Sequence, residues 1–189
     1  MGQKIQIPRS RIKNLLLPIV KIGNPVLRHK CGKLKSHAFQ NIPLIRFLKQ
    51  MIATMRAAQG VGLAANQVGA PLKVIVMECH SNKRYPKRGD FPLQVYVNPE
   101  IIRYSRQKAI DWEGCLSIPG FRGWVTRSKK ITFRALALNG EKVQKTVSGF
   151  EARVIQHEVD HINGFFYVDR MKDLKAWMHL EEFKRRKLC

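Results

Sequence analysis

Apolar positions along the chain follow two periods, and the switches between them mark its elements. Between Asn41 and Gly60, Leu44, Ile45, Leu48, Met51, Ile52 and Met55 recur at helical spacing; Pro43 suits a first turn and Gly60 marks the end. Short runs at Lys73–Met77 and Leu93–Val97 read as strands. Two more, Lys130–Leu136 and Lys142–Val147, flank Asn139-Gly140, a dipeptide that tolerates the positive φ of a tight hairpin. The period then turns helical over about Gly149–Ile162, with Ser148 and Glu151 at capping-box spacing and Asn163-Gly164 as the stop. Along that helix Phe150, Val154, His157 and His161 fall on one stripe, and Ile155, Val159 and Ile162 on another. A last amphipathic helix is predicted over about Asp173–Arg186, docking through Leu174, Trp177 and Phe183. The segment from Cys79 to Phe91 is basic and turn-rich and reads as an exposed loop.

Composition bounds this picture. A chain of 189 residues suits one core, so residues 1–189 read as a single domain with a basic N-terminal arm (about 1–18) and the C-terminal amphipathic helix (about 173–186). Cys31, Cys79, Cys115 and Cys189 show no paired spacing, which points away from a disulfide framework and towards a reducing compartment. The apolar stretch Leu15–Val20 contains Pro18 and is too short for a membrane span or a secretory signal core. Lysine and arginine number 35 against 13 acidic residues, and no acid precedes Glu78. Such a field attracts anionic partners, nucleic acid first among them, and general surface basicity is the competing reading. Residues 1–17 carry Lys4, Arg9, Arg11 and Lys13 without an acid, as transit peptides do, although Pro8 interrupts any helix and serine is scarce.

The chemistry concentrates in Gln156–Gly164, which reads QHEVDHING. His157 and His161 lie four residues apart and stack on one helix face, where two imidazoles can share a divalent metal. Glu158 stands beside the first histidine, placed to serve a water without ligating the metal, which is the equipment of a hydrolase. The same string on a solvated helix would be an accident, but here the histidines end an apolar face, where an unpaired imidazole is costly. A catalytic site usually adds a third protein ligand. In the extended metalloprotease pattern it would fall at Tyr167, which is unsuitable, while Glu181 and Glu182 sit beside Lys184, Arg185 and Arg186 and read as solvated charge. Cys115, in the run Trp112–Gly120, is a stronger candidate, although a lone cysteine is more often a small buried hydrophobe.

The three segments Gly60–Gln67 (GVGLAANQ), Glu113–Ser117 (EGCLS) and Gln156–His161 (QHEVDH), in this order, resemble the signature motifs of the peptide deformylases. The similarity runs from about Ile19 to Met171, and Phe91–Pro99 with Gly120-Phe121 looks more like the mitochondrial-type branch than the bacterial one. The resemblance implies an α+β fold of mostly antiparallel β-sheets packed around a central metal-binding helix that carries the His-Glu-x-x-His motif. It implies that Cys115, His157 and His161 hold one divalent metal ion, physiologically Fe2+, with Zn2+, Ni2+ or Co2+ able to substitute. Glu158 would act as general base and return the proton to the departing amine, and Gln67 with the Leu116 backbone N–H would stabilise the oxyanion. Gly60, Val61 and Gly62 would line the substrate cleft, with Gly62 pairing to the peptide. Phe150 and Val154, one and two turns before the histidines, could wall a methionine slot with Val61.

The implied reaction removes the formyl group from the N-terminal formylmethionine of newly made polypeptides and releases formate. Asp111-Trp112 and Arg153 depart from the bacterial pattern and bear on pocket shape. N-formylmethionyl nascent peptides would be the partners, with transient contact to ribosomal RNA through the basic surface. The mitochondrial matrix is the expected location, with plastid and bacterial cytoplasm as alternatives. Two rival functions stand beside this one: a metallo-endopeptidase sharing the helix motif, and an inactive, basic RNA- or ribosome-binding homologue.

Overall fold

The computed structural model describes residues 16–35, 42–80 and 89–186. Helix α1 (Ile42–Ala57) buries Leu44, Leu48, Met51, Thr54 and Met55, the single stripe its apolar spacing requires. Ile45 falls off that stripe and is exposed. The chain leaves α1 through Gln59, at φ 53, so the left-handed residue precedes the expected Gly60. Gly60 N–H then donates to the Met55 carbonyl at 2.9 Å and closes the helix end.

Strands β1 (Gly62–Ala64), β2 (Val74–Cys79) and β3 (Phe91–Tyr104) follow, then β4 (Lys108–Cys115), β5 (Ile118–Ser128), β6 (Lys130–Leu136) and β7 (Lys142–Ser148). Helix α2 covers Gly149–Ile162, the short strand β8 covers Trp177–His179, and helix α3 covers Leu180–Arg185. Five strands form one antiparallel sheet in the order β1-β2-β3-β6-β7, and β4-β5-β8 form a second. The hairpin around Asn139-Gly140 pairs without interruption from Lys130↔Ser148 to Leu136↔Lys142, with Gly140 at φ 85.

Alternation along β2 divides the core. Ile75 and Met77 face α2, joining Ile131, Phe133, Ile155, Val159 and Ile162, whereas Val74 and Val76 face α1 and meet Leu48, Met51 and Met55. The large sheet is therefore covered by a helix on each face, and α2 lies between it and the small sheet. Each fully buried aliphatic side chain here contributes about 1.5–3 kcal/mol.

Three local expectations change. Ser148 sits at the N-cap of α2 but makes no side-chain cap bond, and Glu151 accepts from Gln94 Nε2 at 3.1 Å instead of reaching back. The predicted terminal helix is α-helical only over Leu180–Arg185, with a single 3-10 turn at Leu174–Ala176, because Trp177–His179 pairs with Phe121–Gly123 of β5. Cys79 and Phe91 are buried strand residues paired with each other; residues 81–88 of the expected loop, like residues 1–15 of the basic arm, lie outside the described residues.

Candidate metal centre

Helix α2 carries His157 and His161 one turn apart, with ring centroids 4.9 Å from each other. Cys115 ends β4, where the register shifts after Glu113 and the chain turns through Leu116-Ser117 into β5. That bulge brings Cys115 Sγ within 3.1 Å of His161 Nε2. One ligand atom from each of Cys115, His157 and His161 lies within 4.8 Å of the others. Buried Glu158 Oε2 and His161 Nδ1 have no hydrogen-bond partner among the described residues. A thiolate and two imidazoles converging beside an orphaned carboxylate oxygen fit a divalent cation of the zinc or ferrous class.

A lattice of charge surrounds the donors. Glu113 Oε2 lies 2.9 Å from His157 Nδ1, which leaves the other ring nitrogen of His157 for a metal. Arg127 grips Glu113 with two bonds of 3.0 Å and donates to Asp160 at 2.5 Å. Arg153 donates to Glu113 at 2.7 Å and to the Val125 and Ala109 carbonyls, and Arg170 closes on Asp160 at 2.6 Å. Burial alone would raise the Glu113 carboxyl, but Arg127 and His157 hold it well below the usual range. Burial disfavours charge on both imidazoles; bonds to Cys115 and Glu113 overcome it at His157 and raise that ring. At His161, burial and the neighbouring His157 push the ring well down. The surroundings that favour a proton on His157 equally favour a cation. Burial pushes Glu158 up to about 7, where a carboxyl can both take and give a proton near neutrality.

The turn after β1 supplies a polar counterpart. Gln67 Oε1 accepts from Ala64 N–H at 2.9 Å, which fixes the amide so that Nε2 faces Cys115 Sγ at 3.4 Å and Ser117 Oγ at 3.2 Å. Asn66 Nδ2 donates to the His161 carbonyl at 2.6 Å and ties this turn to the end of α2. A Cβ at Gly62 would stand 2.8 Å from Glu158 Cδ, so a larger residue there must shift that carboxylate.

One cavity gathers Gly60, Val61, Gly62, Gln67, Cys115, Leu116, Phe150, Val154, His157 and Glu158; His161 lies fully buried beneath. Of the departures from the bacterial pattern, Asp111-Trp112 and Arg153, Trp112 and Arg153 line it as well. Tyr167 is buried with its ring stacked on His157, 6.1 Å between centroids, and its hydroxyl accepts from Trp177 Nε1 at 3.0 Å. Glu181 is solvent-exposed and Glu182 pairs with Arg185. Glu113, Arg127, Asp160 and Ser117 join the site without a role visible in the sequence. The signal for Glu113 was its spacing: it stands two residues before Cys115 on β4, and both are buried.

Comparison with known proteins agrees with this geometry. The family described as Polypeptide deformylase matches residues 16–177. Peptide deformylase of Leptospira biflexa is 40% identical over 165 residues, covering 87% of this chain and 92% of that protein. Peptide deformylase 1A, chloroplastic/mitochondrial, of Arabidopsis thaliana is 39% identical over 171 residues, covering 84% and 63%. The Met-Ala-Ser-bound crystal structure of class I type b peptide deformylase from Acinetobacter baumannii superposes with a TM-score of 0.81 at 38% identity, covering 82% of this chain and 98% of that one. The chain belongs to the polypeptide deformylase family and is a hydrolase that removes the N-formyl group.

Proposed function

We propose that this deformylase works on formylmethionyl peptides with Cys115, His157 and His161 as metal ligands, Glu158 as proton carrier, and Gln67 with the Leu116 N–H as oxyanion donors. The observation that carries the reading is the convergence of the Cys/His/His donors on one point beside a Glu158 oxygen that finds no hydrogen-bond partner among the described residues. A divalent cation held there would supply Lewis acidity and lower the pKa of water from about 15.7 towards about 7. Glu158 takes the proton of the attacking water and hands it to the departing methionine nitrogen. Gln67 Nε2 and Leu116 N–H donate to the formyl oxygen as it gains charge; one such donor contributes on the order of 3 kcal/mol. Phe150, Val154 and Val61 flank the methionine side chain, and the Gly60–Gly62 backbone receives the peptide. Fe2+ is the resident ion in this proposal, since a thiolate and two imidazoles suit it, and activity should then fall in air. The test is metal analysis after anaerobic purification, followed by formate release from formyl-Met-Ala-Ser beside acetylated and internal-bond controls. Cleavage of the internal-bond control alone would instead favour an endopeptidase.

The basic field, with net charge +22, supports transient attraction to ribosomal RNA, where nascent substrates emerge. Co-sedimentation with ribosomes at low ionic strength that is lost with salt is the expected result. No helix among the described residues is long and apolar enough to cross a membrane. The Phe91–Pro99 pattern and the basic charge favour the mitochondrial matrix over plastid or bacterial cytoplasm. A full-length fusion carrying a C-terminal fluorescent reporter should co-localise with mitochondria, and plastid fluorescence would count against that placement.

A further inference from the structure

Three consecutive residues bridge the two halves of the oxyanion site. Val20 N–H donates to the Gln67 carbonyl and Ile22 N–H to the Ser117 carbonyl, both at 2.9 Å. Between them, Lys21 Nζ donates to the Leu116 carbonyl at 3.0 Å. That carbonyl belongs to the same peptide unit as the Ser117 N–H, which donates to Cys115 Sγ at 3.3 Å. A planar, resonant peptide polarises as one unit, so a cation on its oxygen makes its N–H a better donor. A continuous path therefore runs from the Lys21 ammonium through one peptide to the Cys115 sulfur.

We propose that Lys21 is a positioning residue for the metal centre, acting through the Leu116–Ser117 peptide on the Cys115 sulfur and on the turn that presents the Leu116 N–H. The inference rests on the reading of Cys115 as a ligand and Leu116 N–H as an oxyanion donor. A stronger N–H···S bond draws electron density from sulfur and leaves a bound cation the better Lewis acid, the usual direction in which an outer partner tunes a ligand. The flanking backbone bonds hold Lys21 over the carbonyl, while its solvent exposure screens the charge and keeps the effect modest.

The test compares Lys21→Met, Lys21→Arg and the exposed-site control Lys35→Met. The first readout is the Ser117 amide proton shift in the zinc-loaded protein and again after chelation. In Lys21→Met that resonance should move upfield in both states, whereas Lys21→Arg and Lys35→Met should leave it in place. The second readout is turnover of formyl-Met-Ala-Ser, where kcat should fall about two- to fivefold in Lys21→Met with KM unchanged. An unmoved Ser117 resonance in Lys21→Met, or an equal kcat loss in Lys35→Met, overturns the proposal. Full metal occupancy in Cys115→Ala overturns the underlying site reading instead, whatever the Ser117 resonance does.

Discussion

The two sides of helix α2 are built from opposite materials. Towards the five-stranded sheet it presents Ala152, Ile155, Val159 and Ile162 to Ile75, Met77, Ile131 and Phe133. Towards the three-stranded sheet it presents Arg153, Gln156, His157 and Asp160, bonded to Glu113, Arg127 and Ser128. Apolar contact is non-directional and supplies free energy; it fixes where the helix lies. The buried ion lattice contributes little net stability, since its desolvation cost offsets its attraction, but its bonds have direction and hold the His157 ring. Stability and ligand aim are thus carried by different faces of one helix.

The largest effect should come from the polar face. Glu113→Ala strands the Arg127 and Arg153 guanidiniums in the interior, and stability in denaturant melts should fall by about 3–5 kcal/mol. Chelator competition should show metal binding weakened about 10- to 100-fold as well. On the apolar face, Ile155→Ala should cost about 2–5 kcal/mol of stability, while the metal affinity of the folded protein stays within about twofold of the parent. Equal loss of metal affinity in both variants would dissolve the division of labour.

Gly62→Ala presses a methyl group against the buried Glu158 side chain, so it should cost about 1–3 kcal/mol in denaturant melts and lower kcat by on the order of a hundredfold, because displacing a reacting group by an ångström costs that much. The smallest effect belongs to the exposed pair between α1 and β2. Arg56 bonds to Glu78 at 2.6 Å and 2.8 Å and holds that carboxyl below its ordinary value. Stability from this pair is present above about pH 4.5 and lost as pH falls through the lowered folded value. Arg56→Met should remove at most about 1 kcal/mol and flatten the acid limb of a stability-against-pH curve.

The same contrast explains what the sequence could reveal. Helix α2 was legible to its ends, Gly149 and Ile162, and the β6–β7 hairpin nearly so, because apolar periodicity and a turn dipeptide mark them. Strands β4 and β5 are hidden from a hydropathy pattern, since their buried positions include Glu113 and Arg127, and an ionic interior looks like surface. The terminal helix was overextended because Trp177 fits a helical stripe, whereas in the fold it joins β8 and its indole meets the Tyr167 hydroxyl. Every proposed site residue lies in or directly beneath one cavity, most of them carried there by the three motifs and Phe150 and Val154 by the preceding turns of α2. Glu113 belongs to a motif, but its role is invisible in the sequence, because its partner Arg127 stands fourteen residues away on β5.

Glu158→Ala provides the decisive comparison, made on anaerobically loaded protein with metal content and formate release read on the same sample. The account predicts about one metal ion per chain in both parent and variant, with formate release from formyl-Met-Ala-Ser lowered at least about a hundredfold in the variant. Unchanged formate release from Glu158→Ala would contradict it, because the chain would then be moving the proton by some other group.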